Sequence, residues 1–208
     1  MSITTYALLK RYMDGRFGRI ERALGVSIYG VAWDKSDNPA LTRTDDALGM
    51  VAVAGVDNGI VRNDFDRAPI FGEIHDVIDS YGNVFVRIPK FYIRKTDGLG
   101  FKTWQVSKTQ YSGFYLPWCF WDFEKDMELS HIDVGKYNAS LSAGGALESK
   151  PGTYPLVNKT IVGFRDYARA NNAGSRRGYQ QMDIHVMDVL QTLFYIEFAT
   201  LNSQAIMQ

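Results

Sequence analysis

Three histidines, one cysteine and a few carboxylate-rich turns are the groups in this sequence best suited to chemistry, and their spacing decides what each can do. His75, His131 and His185 stand far apart, and none has a His or Cys neighbour at zinc-ligand spacing, so no metal site is expected. His131-Ile132-Asp133 can place an imidazole and a carboxylate on one face of a strand, a pattern too common to define a site by itself. Cys119 lies in an aromatic strand-like run and not at a helix N-terminus, so an activated thiolate is not expected. Asp57-Asn58-Gly59 and Asn63-Asp64-Phe65-Asp66 are rich in oxygen ligands but lack the bidentate Glu of a calcium loop, and they read as turns. Gly98-Leu99-Gly100 lacks the third glycine and the following helix of a dinucleotide loop. Arg176-Arg177 beside Tyr179 reads as a solvated loop pair. No cofactor is expected, and the absence of an acid, base or metal cluster argues against an enzyme.

Two features stand out against that background. The first is Glu197, which projects between Leu190, Leu193 and Leu201 on the apolar face of a long C-terminal helix. A carboxylate there needs a hydrogen-bonded or cationic partner, and backbone N–H groups or Arg165 are candidates. A structural buried carboxylate is the favoured reading over a general acid with a raised pKa, because no second titratable group accompanies it at useful spacing. The second is the aromatic content, 12 Tyr, 12 Phe and 4 Trp, much of it between Phe85 and Phe123. Rings fill a β-rich core, but they also supply contact surfaces for partners and sugars. Tyr111, Tyr115, Trp118 and Trp121 are the candidate ligand-binding set, and strand alternation lets only part of it face a ligand.

The elements that must position these groups follow from periodicity. Residues 1–25 read as an N-terminal helical docking segment in two pieces, interrupted at Gly15 and Gly18, with a basic polar face. From Val26 the period changes to that of strands: SIYGVAW, then GMVAVAGV, then GNVFVRIPKFYIRK with a bend or sheet edge at Pro89. Residues 57–79 read as loop with a short helical turn near Ile74 to Ile78. WQVS, FYLPWCFWDF and IDVGKYNASL are further extended pieces, and residues 142–155 form a Gly, Ser and Pro-rich connection. Asn158 or Thr160 caps a helix through Ala170, and Asp183 caps the last one, whose apolar side chains from Val186 to Leu201 cover well over half its circumference. Such a helix is interior.

Length and charge narrow the function classes. With 208 residues the chain suits one sizeable domain with a short appendage. Lys plus Arg and Asp plus Glu are both 23, so no net field draws nucleic acid or an anionic membrane to the whole molecule. A single cysteine excludes an intramolecular disulfide. The first 25 residues are interrupted by arginines and lysines and carry no secretory signal, and no apolar run is long enough for membrane insertion. A soluble product made in a cytoplasm is expected.

Read in order, GNVFVRIPKFYIRK, YSGFYLPWCFWD, IDVGKYNASL, YPLVNKTIVGFRDYARANN and MDIHVMDVLQTLFYIEFATLNSQ resemble a family of bacteriophage and prophage tail proteins with a C-type lectin-like fold. The family includes tail-fibre receptor-binding proteins and is related in fold to formylglycine-generating enzymes. The most specific pieces are IPKFYI, VGKYNASL and IEFATLNSQ. The resemblance implies an α+β C-type lectin-like domain over residues 26–208, strand-rich first and with two helices near the C-terminus, truncated after its second helix. The strand-rich half that carries the ligand surface in the family has no counterpart here, which implies a truncation, a separately encoded piece, or a core completed by a neighbouring subunit. The cysteine pair of the oxidising enzymes is also missing. The resemblance further implies a non-enzymatic component of the virion tail or fibre, made in the bacterial host cytoplasm and engaged in host-surface attachment. Its expected partners are other phage tail proteins, copies of itself in a homo-oligomer, and a bacterial surface glycan or protein, with no nucleic acid. A structural adaptor or baseplate-decorating subunit is the alternative, and a formylglycine-generating type of enzyme the third.

Overall fold

Among the described residues, short β-prone runs punctuated by Asx and glycine turns come first, as far as Glu148, and the α-helices follow, so the architecture is α+β. The computed structural model describes residues 27–53, 63–172 and 178–206. The expected docking segment at 1–25, Asp57-Asn58-Gly59 and Arg176-Arg177 lie outside the described residues. In chain order the strands are β1 (Ile28–Trp33), β2 (Thr42–Asp45), β3 (His75–Ile78), β4 (Val84–Pro89), β5 (Tyr92–Gly98), β6 (Phe101–Ser107), β7 (Trp121–Asp122), β8 (Met127–Glu128), β9 (His131–Gly135), β10 (Ser140–Leu141) and β11 (Leu147–Glu148). Among the described residues the α-helices are α1 (Ile161–Arg169) and α2 (Ile184–Phe198). Two compact units divide them, one built from residues within Met1–Phe71, Phe91–Leu116 and Gln191–Gln208, the other from residues within Gly72–Lys90 and Pro117–Leu190.

The first unit is an antiparallel sheet in the order β2-β1-β6-β5. Its register pairs Tyr29 with Val106, Val31 with Trp104 and Ile93 with Val106, so these five side chains share one face, and all are buried. Phe71 packs edge-on to Tyr29 and to Phe65, Phe65 tilts against Tyr29, and Tyr195 from α2 meets Trp104 at 5.2 Å between centroids. On the opposite face Ile28, Tyr92 and Phe114 form a second cluster. Beside it Arg94 Nε donates to Gln105 Oε1 (2.8 Å), whose Nε2 donates to Asp45 Oδ2 (2.7 Å). Gly30 lies under this relay because a Cβ would come within 2.8 Å of Thr44, Asp45 and Gln105.

The second unit is organised around β4, which pairs with β3 on one side and β9 on the other. The turn before it is tied by Asp79. Oδ1 accepts the backbone N–H groups of Tyr81 and Asn83, and Oδ2 accepts Asn83 Nδ2 and the Tyr179 hydroxyl, all between 2.7 and 2.9 Å. Asn83 is fully buried and its Oδ1 accepts from Ser149 N, while Ser149 Oγ donates to the Val84 carbonyl. Asn172 grips the backbone N–H and carbonyl of Tyr179. A β-turn, the residue after β11 and the segment after α1 thus meet in one hydrogen-bonded knot.

Several expectations meet the structure directly. Thr160 caps α1 by accepting from Gly163 N, and Asp183 caps α2 through His185 N and Val186 N. From Val186 to Phe198 only Gln191 is exposed, as an interior helix requires. The helical turn read near Ile74 to Ile78 is instead strand β3: its polar His75 and Asp76 carry no period, and the ladder to β4 decides the conformation. The 3-10 turns come earlier, at Asp64–Arg67 and Phe71–Glu73. The described part of GMVAVAGV makes only an isolated bridge, Ala52 to Asn63, and Val51 and Val53 are exposed, so apolar composition did not produce a buried strand there. IDVGKYNASL breaks into β9 and β10, and FYLPWCFWDF is interrupted by a 3-10 turn at Trp118–Phe120.

Burial works against ionisation of Asp79, but the hydrogen bonds from Asn83, Tyr179 and Tyr81 outweigh it and hold the carboxyl below its ordinary 3.8. The same contact, with burial as the larger cause, pushes the Tyr179 hydroxyl up to about 12. A depressed carboxyl pKa stabilises the fold above the ordinary value and loses that stabilisation as the pH falls through the folded one. Asp79→Asn is therefore expected to lower stability at neutral pH by about 1–3 kcal/mol, with the difference from wild type shrinking below pH 3.8. Thermal unfolding of both proteins across that range checks it.

Candidate functional site

The aromatic segment leaves Pro117 in extended conformation, turns once through Trp118–Phe120 and enters a small hairpin. Phe120 is completely buried and anchors the segment, and its carbonyl accepts from Leu129 N (2.8 Å) on the returning strand. β7 and β8 pair Trp121 with Glu128 and Asp122 with Met127. At the tip Asp122 Oδ1 accepts the backbone N–H groups of Glu124 and Lys125, an Asx turn, and Asp126 closes the loop at φ 51°. This geometry turns Phe123 outward onto Trp118. The two rings stack at 5.4 Å with 26° between their planes, and they are 65% and 58% exposed. Met127, 49% exposed, extends the apolar surface. Exposed stacked rings held by backbone hydrogen bonds are preorganised for contact with a flat apolar face.

Next to the hairpin in the same unit the Trp118–Phe120 turn packs on β9. A groove of about 350 Å³ opens there, lined by Glu73, His75, Arg87, Pro89, Ser130 and His131. Arg87 holds Asp133 with two parallel 2.8 Å hydrogen bonds, and hydrogen bonding to that carboxylate pushes the guanidinium pKa up. Ser130 Oγ lies 2.9 Å from His131 Nδ1, while His131 Nε2 is 3.9 Å from Asp133 Oδ2. Serine, histidine and aspartate meet here, yet not as a nucleophilic triad. The aspartate is committed to Arg87, and its distance to the ring exceeds a hydrogen bond. His75 Nδ1 sits 2.8 Å from the Glu73 carbonyl, which can only accept, so this nitrogen carries the proton and Nε2 is the ring's other bonding group.

The four rings singled out from sequence fall two in each unit. In the first, Tyr111 is half-buried against Phe114, and Tyr115 is 45% exposed, its backbone paired with Ile93. In the second, Trp118 is exposed and Trp121 half-buried. Phe123 and the groove residues Arg87 and Ser130 escaped sequence reasoning. The signal for Phe123 was Asp122, two and three residues before the loop's backbone donors Glu124 and Lys125. Cys119 is half-buried, and burial, aided by the Asp183 and Asp188 carboxylates, pushes its thiol up to about 12, the opposite of activation. Among the described residues no group of three or more His, Cys, Asp or Glu could hold a metal ion, and no helix is long and apolar enough to cross a membrane.

Glu197 is half-buried. Its Oε1 accepts from Asn63 Nδ2 at 2.7 Å, and Arg43 donates to the Glu197 carbonyl while lying over the Phe65 ring. Arg43 Nε is buried with no acceptor among the described residues, and burial lowers the arginine pKa. Compared with known protein families, curated proteins and solved structures, the chain matches none.

Burial pushes the Glu197 carboxyl above its ordinary 4.5, and Asp66 adds to this; the Asn63 hydrogen bond and Arg43 oppose it. A carboxyl raised in the fold favours the native state most below its unfolded pKa, and that contribution is lost as the pH rises through the folded one. Glu197→Gln keeps the acceptor for Asn63 and removes the charge. Its melting temperature is expected to exceed wild type's at neutral pH, with the two converging as the pH falls below 4.5.

Proposed function

We propose that the chain is a non-enzymatic component of a bacteriophage tail or tail fibre that contacts the bacterial cell surface through the Trp118–Phe123 pair. The observation that carries this is the exposed stack itself. Two large rings out of the core, fixed by an Asx turn and by an anchored Phe120, cost hydrophobic stabilisation and repay it only on contact with a partner. The tail assignment and a C-type lectin-like body are supported by IPKFYI, VGKYNASL and IEFATLNSQ, and by the order of elements, strands first and two capped helices last. On this reading the protein works in the virion tail beside other tail proteins, and a surface glycan or protein is the ligand. The Ser130, His131 and Asp133 geometry favours binding over hydrolysis.

A second reading, an adaptor that fills an assembly contact, draws on another surface of the second unit. Tyr154 (94% exposed), Val157, Ile161 and Val162 present apolar side chains from the connection before α1 and from its first turn. The two readings part under one experiment. A Trp118→Ala/Phe123→Ala variant is expected to keep wild-type stability to within about 0.5 kcal/mol, since both side chains are solvated. Binding of the purified chain to host cells should fall by about tenfold or more. Undiminished cell binding by that variant, or co-assembly with another tail protein without any cell binding, favours the adaptor.

A further inference from the structure

We infer that the groove beside the aromatic pair is a subsite for one uncharged sugar residue of the surface polymer, held along its hydroxyl edge by Arg87, Ser130, His75 and His131. The inference rests on the reading of Trp118 and Phe123 as the contact surface. Its size fits one residue: about 350 Å³ is near the lower limit of small-molecule sites, which run from ~300 to ~1,000 Å³. Its chemistry fits hydroxyls. A sugar hydroxyl both donates and accepts, and this lining offers both roles. The guanidinium of Arg87 has five N–H donors, of which two are committed to Asp133. Ser130 Oγ both donates and accepts, His75 Nε2 is the ring atom turned away from the Glu73 carbonyl, and His131 Nε2, 3.9 Å from Asp133 Oδ2, lies beyond hydrogen-bond distance of that carboxylate.

The charge balance speaks against an acidic ligand. Arg87, the permanently charged cation among the lining residues, is balanced by Asp133, and Glu73 adds a carboxylate. A pyranose is amphipathic in the same sense as this surface, with C–H faces suited to the Trp118–Phe123 stack and hydroxyl edges suited to the groove. The turn bearing Trp118 packs on β9, whose first residue is His131, and Leu129 N, one residue before Ser130, donates to the Phe120 carbonyl, so the hairpin and the groove are neighbours along the chain.

The test is a titration of the full-length, isotope-labelled chain with the methyl pyranosides of glucose, galactose, rhamnose and N-acetylglucosamine, and in parallel with glucuronate and glycerol phosphate. At least one neutral glycoside is expected to give saturable NMR shifts at the Trp118 indole N–H together with the Ser130 and His131 amides and the Arg87 side chain. Ser130→Ala/His131→Gln should weaken that ligand by about tenfold, while the Trp118 response persists at higher concentration and the melting curve stays unchanged. Shifts at Trp118 without any at Ser130, His131 and Arg87, an unchanged affinity in the double variant, or tighter binding of the two anions would each overturn the subsite and leave the aromatic contact standing. Silence at Trp118 and at the groove alike, with host-cell binding lost in no aromatic variant, would remove both.

Discussion

The hydrogen-bonded knot at Asp79 and Asn83 is the constraint on which the second unit depends. Asp79 satisfies four donors from three residues, and Asn83, wholly removed from solvent, passes the connection on to Ser149. Each of these groups would be costly to bury unpaired, so the knot is stable only when it is complete. It fixes the start of β4, the one strand of its sheet paired on both sides. The far end of β4 carries Arg87 and Pro89, and Pro89 pairs with His131 at the head of β9. Groove and hairpin therefore take their positions from a turn at the opposite end of the strand. The first unit relies on a different principle, rings and branched side chains packed on a sheet face, with Glu197 as its paired polar intrusion.

What was legible in the sequence and what was not divides along sequence distance. The caps at Thr160 and Asp183 are local hydrogen bonds, three residues long, and could be read from residue type alone. Burial of α2 followed from its period, and the strands at Ile28–Trp33 and Val84–Pro89 from β-branched and aromatic content. β3 could not be read this way, because HDVI forms a strand only through its ladder to β4. β7 and β8, two residues each, are too short to show alternation. The partner of Glu197 lies 134 residues away, so the need for a partner was foreseeable and Asn63 was not. Of the candidate site, Trp118 was visible as an aromatic in a rich segment. Phe123 became visible only once the Asx turn showed which way the loop faces.

The placement of polar groups decides what this surface offers a partner. The groove brings serine, histidine and aspartate together but commits the aspartate to an arginine and leaves its carboxylate 3.9 Å from the histidine, which has Ser130 Oγ at 2.9 Å instead. Burial pushes the Cys119 thiol up, away from the thiolate form. What remains is a rigid, amphipathic surface, with rings on one side and a balanced set of donors and acceptors on the other.

The central claim is that the surface around Trp118 and Phe123 is where the protein meets its target. Hydrogen–deuterium exchange of the full chain with and without host cell-envelope fragments tests it most directly. Slowed exchange confined to the amides of the Trp118–Phe120 turn, the β7–β8 hairpin and the head of β9 is the expected result. Protection at residues 154–162 instead, with the hairpin exchanging as it does in the free protein, would contradict it.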